Sequence, residues 1–114
     1  MKRPAKVYNQ IPKTIDLFGR TLTTVDDSTR LNLLKLFGEA RHGINHIVLS
    51  GVINDKKISD EELKLTYLHE MLHFILIFAG YDPIIRASDI DIEQFIELLA
   101  SGIYQYEKSA DYGK

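Results

Sequence analysis

Cysteine is absent from the 114 residues. That excludes disulfides and thiolate metal sites, so any metal held by this chain takes histidine and carboxylate ligands. The absence also accords with a reducing, cytoplasmic setting. Neither sign of charge dominates. Fourteen Lys and Arg face sixteen Asp and Glu, for a net charge of −2. The chain therefore offers no electrostatic case for nucleic acid or an anionic membrane as partner. A small basic start at Lys2, Arg3 and Lys6 reads as a solvated tail. No apolar segment follows it, as a signal peptide would require. No uninterrupted apolar run is long enough to span a bilayer. Repeats, low-complexity tracts and linkers are lacking too. What remains is one domain, residues 1–114, with 45% apolar residues and enough chain for a modest core.

The local patterns predict an α+β domain. Residues 1–12, with Pro4 and Pro12, read as a loose arm. Thr14 to Val25 alternates around Phe18-Gly19-Arg20 and predicts a β-hairpin. Asp26-Asp27-Ser28 can cap a short helix, and Leu31, Leu34 and Phe37 fit either a helical face or an extended stretch. A second hairpin is predicted with limbs Phe37–Arg41 and Asn45–Ser50 and a turn at His42-Gly43. Gly51 to Lys57 reads as a connecting loop. Ser59 followed by Glu62 forms a capping-box pattern, and Asp60 and Glu61 favour the positive end of a helix. That helix should run from Asp60 to Ala79 and stop at Gly80, with Tyr81-Asp82-Pro83 as a turn. A final helix should begin near Ser88 or Asp89, with residues 108–114 as a frayed tail.

The chemistry lies in His69-Glu70-Met71-Leu72-His73. On a helix, positions i and i+4 share one face, so both imidazoles can reach one metal ion. Glu70, one residue on, lies beside the metal and can take a proton from a metal-activated water. Two histidines leave a catalytic zinc site short of one protein ligand. Glu93 and Glu97 on the final helix are four apart and share a face, and small Ala100 on the same stripe permits close helix approach. Asp89 and Asp91 near the helix start read as caps. His42 and His46 read as structural or surface residues. If Asn45–Ser50 borders the cleft and pairs with extended substrate, His46 can face it as a carbonyl-polarising donor. Tyr67, Tyr81 and Tyr104 are further candidates for that role. Arg86 can pair with a substrate carboxylate or with Asp82, and Asp82 is the nearer choice.

His69-Glu70-x-x-His73, nineteen intervening residues and Glu93-x-x-x-Glu97-x-x-Ala100 resemble the gluzincin metallopeptidases, the thermolysin-like group. The smaller frame looks like the minimal gluzincin-like proteins of phages and prophages, distant relatives of SprT-like and ImmA/IrrE-like domains. The resemblance spans roughly residues 13–107. It implies a zincin-like fold, in which a small antiparallel or mixed sheet packs on the HExxH helix and a C-terminal ligand-bearing helix. It also implies Zn2+ held by His69, His73 and Glu93, with Glu97 hydrogen-bonded to a ligand histidine. The family carries Asp where Glu97 stands, so the longer side chain leaves the roles of Glu93 and Glu97 exchangeable. The expected activity is zinc-dependent peptide hydrolysis with Glu70 as general base, on a peptide or protein substrate. The alternative is a non-catalytic zincin-fold module that binds metal or a protein partner.

Overall fold

A computed structural model describes residues 11–111 and 113. Most of the predicted N-terminal arm, with its basic residues, lies outside them. The chain folds in the order β1 (Thr14–Leu17), β2 (Arg20–Asp26), α1 (Ser28–Leu34), β3 (Gly38–Arg41), β4 (His46–Leu49), β5 (Val52–Ile53), β6 (Lys56–Lys57), α2 (Asp60–Phe78), α3 (Asp82–Arg86) and α4 (Ile92–Ser109). Both predicted hairpins form. β1 and β2 turn on Phe18 and Gly19, both at positive φ, the backbone a two-residue hairpin requires.

The four-stranded sheet has the order β1-β2-β4-β3. β2 and β4 run parallel, with Thr23 opposite His46 and Asp26 opposite Leu49. The hairpin neighbours are antiparallel, so the sheet is mixed. This places β3 at the edge and β4 inside. α1 carries the chain over the crossover. Asp27 caps it by accepting from Arg30 N, and Leu31 is fully buried while Leu34 and Phe37 are exposed.

Three local expectations are corrected. The segment predicted as a loop, Gly51–Lys57, contains a miniature hairpin, β5–β6, turning on Asn54 and Asp55 at positive φ. Its fastening comes from Asn32, whose Nδ2 donates to Val52 O at 2.7 Å. Tyr81-Asp82-Pro83 opens the short helix α3 rather than a simple turn, because proline is well tolerated in a first helical turn. The last helix starts at Ile92, not near Ser88 or Asp89, because Asp91 is the cap and accepts from both Glu93 N and Gln94 N. At its far end Lys108 and Ser109 are still helical.

α2 begins where the capping box predicts, with Ser59 Oγ accepting from Glu62 N at 3.2 Å. It ends in a Schellman turn. Gly80 N donates to Ile77 O and Tyr81 N to Leu76 O, with Gly80 at φ +82°. α2 spreads its apolar residues around the helix because it packs on both the sheet and α4. α4 is amphipathic, with Ile92, Ile96, Ala100 and Tyr104 forming its buried stripe. The core joins these residues to Leu22, Ile47 and Leu49 of the sheet and to Tyr67, Leu68, Leu72 and Phe74 of α2. Among the described residues, no helix is long and apolar enough to cross a membrane.

Candidate metal centre

Four helical residues converge. His69 and His73 leave the same side of α2, with ring centroids 5.1 Å apart. Glu93 and Glu97 stand one position after the buried Ile92 and Ile96, a rotation of about 100°. That offset puts them on the flank of α4's buried stripe, facing the histidines. Ala100 is 1% exposed, so no side chain holds the helices apart there.

Each carboxylate takes a different partner. Glu93 Oε1 lies 3.0 Å from His69 Nε2, and its Oε2 lies 3.4 Å from His73 Nε2. Glu97 Oε1 lies 3.3 Å from His69 Nδ1. His69, His73 and Glu93 thus offer three ligand atoms within 4.8 Å of one another. In a tetrahedral site with ligands about 2.0–2.2 Å from the ion, ligand atoms are separated by roughly 3.3 Å. The Glu93–imidazole separations match that value, and two imidazoles with one carboxylate form a zinc-type donor set. The three residues form a set able to hold a divalent ion. Glu97 sits on the nitrogen a metal-bound imidazole leaves free, where a carboxylate fixes ring orientation and tautomer.

Glu70 is buried between α2 and the start of β3. Burial pushes its carboxyl up to about 7; nearby His69 pulls it down, while Glu93, Glu39 and Glu97 push it up further. Room for it comes from Gly38. A Cβ at that position would lie 2.5 Å from Thr66 Cγ2, 3.2 Å from Val48 O and 3.3 Å from Glu70 Oε2. His73 is lowered below the ordinary imidazole value, first by burial, with Glu93 opposing. That shift favours the neutral ring, which is the form able to bind a metal.

These groups line a cavity of about 850 Å³ that runs along α2 from Glu62 to His73. Gly38, Glu39 and Ala40 of β3 form one wall, and Glu93, Glu97 and Ser101 of α4 form the other. The strand bordering the cavity is therefore β3; of the Asn45–Ser50 limb only Ser50, just past β4, reaches it. His46, at the start of β4, does not line the cavity. Tyr67 and Tyr104 are core residues, Tyr81 is exposed, and none of the three borders the cavity. Burial, followed by the Glu107 charge, pushes the Tyr67 hydroxyl up to about 12. Arg86 does pair with Asp82, Nε to Oδ2 at 2.8 Å.

Sequence reasoning missed His42 and Gly38 as cavity residues. His42 lies edge-on to Phe74, with centroids 4.6 Å apart, because the β3–β4 turn folds over α2. No local signal carries that placement. Gly38, by contrast, stood as an unexplained glycine inside a strand limb, a recognised sign of close approach by another element. Comparison with protein-family models, curated proteins and solved structures finds no match.

Proposed function

We propose that the protein is a zinc-dependent metallopeptidase with a zincin-like fold of the minimal gluzincin type. The observation that carries this reading is the position of Glu93, whose two oxygens face the Nε2 atoms of both HExxH histidines. His69, His73 and Glu93 are the ligands, and Glu97 orients His69 through Nδ1. When bound, zinc supplies Lewis acidity toward a scissile carbonyl and lowers the pKa of water. Glu70 takes the proton from the attacking water and delivers it to the leaving amine. Among the described residues, β3 has one unpaired edge and borders the cavity, which suits an extended peptide added as a further strand.

The test joins metal analysis to turnover. Purified protein should hold about one zinc per chain, and His69→Ala or His73→Ala should abolish tight binding. Glu70→Gln should keep zinc and fold but lose peptide hydrolysis by about 10²-fold or more. Full zinc occupancy in the double histidine variant would remove the metal assignment. Hydrolysis undiminished in Glu70→Gln would remove the catalytic one, and zinc binding without hydrolysis in wild type would leave the non-catalytic module.

A further inference from the structure

The cavity is chemically uneven along its length. Where α2 begins, Leu36, Phe37, Ile53, Ile58 and Leu65 give apolar walls. At the His73 end the wall holds His42 and Arg86. Arg86 is the only lysine or arginine on the wall among the described residues. Its charge is close enough to act on both His73 and His42. Three of the acidic side chains on the wall are directed elsewhere. Glu93 and Glu97 face imidazoles, and Glu39 is held by Arg30 at 2.7 Å.

Arg86 is held as well as placed. Its Nε donates to Asp82 Oδ2, one turn back in α3, which fixes the guanidinium plane. Asp82 is buried, whereas the Arg86 side chain is 53% exposed. The Nε bond is the one hydrogen bond Arg86 makes among the described residues, so its terminal nitrogens remain available. Among the described residues, buried Asp82 Oδ1 has no hydrogen-bond partner.

We propose that Arg86 anchors a substrate carboxylate, so that the cavity selects peptides carrying a C-terminal carboxylate or an Asp or Glu side chain near the reacting bond. A guanidinium held through Nε keeps its two terminal nitrogens as parallel N–H donors, which match the two oxygens of a carboxylate. The inference rests on the peptidase reading for its peptide occupant.

Zinc-loaded Glu70→Gln protein, which should not turn over its ligand, allows a direct binding test. The probes are N-acetylated apolar tripeptides in three forms: free acid, C-terminal amide, and amide with one residue replaced by Glu. A carboxylate form should bind at least about tenfold tighter than the plain amide, and Arg86→Gln should erase the difference. The two carboxylate forms report which source is read. Because Arg86→Gln strands a buried Asp82, the Asp82→Asn, Arg86→Gln double variant serves as a folding-safe check and should lose the same preference. Equal affinity for acid and amide forms, or no binding of any form, would overturn the proposal. So would a preference that survives Arg86→Gln, and its loss in His73→Ala would then place the carboxylate on the metal. Turnover of unblocked peptides by wild type against Glu70→Gln decides the peptidase reading separately.

Discussion

Glu93 and Glu97 carry the same functional group one helical turn apart, yet they address different nitrogens. Glu93 spans two Nε2 atoms, while Glu97 meets only His69 Nδ1. The exchange of roles left open by the extra methylene of Glu97 has a geometric preference, because Glu93 reaches the side of both Nε2 atoms and Glu97 does not. Glu93→Gln should therefore cost more zinc affinity than Glu97→Gln. Loss of an orienting carboxylate typically costs only about 10- to 100-fold. Zinc titration of the two variants side by side decides the order, and a larger loss in Glu97→Gln would move the ligand one turn along α4. Wild-type affinity in both would remove α4 from the site.

Between elements, the closest fit is that of β3 on α2. Gly38 lets the edge strand approach Thr66 and Glu70 without a Cβ in the gap. Gly38→Ala should cost about 1–3 kcal/mol, as overpacking does in a filled interior. Thr66→Ser removes the Cγ2 atom nearest to the added methyl, so the double variant should recover part of the loss. Thermal unfolding of the two variants checks this, and a Gly38→Ala protein as stable as wild type would contradict the packing. The same element logic explains the strand assignment. Alternation identified both limbs of the second hairpin, but which limb lies at the edge depends on the parallel pairing of β2 with β4. That pairing joins segments separated by α1 and β3, and no local pattern encodes it.

Across the whole molecule, one ion pair couples the crossover helix to the cavity wall. Arg30 of α1 donates to both oxygens of Glu39 on β3, at 2.7 and 3.1 Å. The hydrogen bond from Arg30 holds the Glu39 carboxyl below the ordinary value of 4.5. A carboxyl lowered on folding stabilises the protein above its unfolded pKa, and the contribution is lost as pH falls through the folded value. Wild type should therefore lose stability on acidification below about 4.5 more steeply than Glu39→Gln, whose side chain does not titrate. Denaturant unfolding at several pH values measures the two slopes, and parallel slopes would mean that the pair carries no linkage. Glu39 is partly exposed, so the effect should shrink with added salt.

The sequence by itself determined what depends on neighbours along the chain. The HExxH face of α2, its Ser59 cap, its Gly80 stop and the shared face of Glu93 and Glu97 follow from helical periodicity and capping chemistry, which act within a few residues. The two hairpins follow from alternation and turn residues in the same way. Only the tertiary structure decided what depends on distant segments meeting. The mixed sheet order put β3 rather than β4 along the cavity, which His46 does not line. The fold of the β3–β4 turn over Phe74 brought His42 to the site, and α3 carried Arg86 there on a buried Asp82. Packing of α4 against α2 then set two identical carboxylates against different nitrogens. These outcomes depend on burial shared across elements, and local sequence preferences contain no information about which element will be the partner.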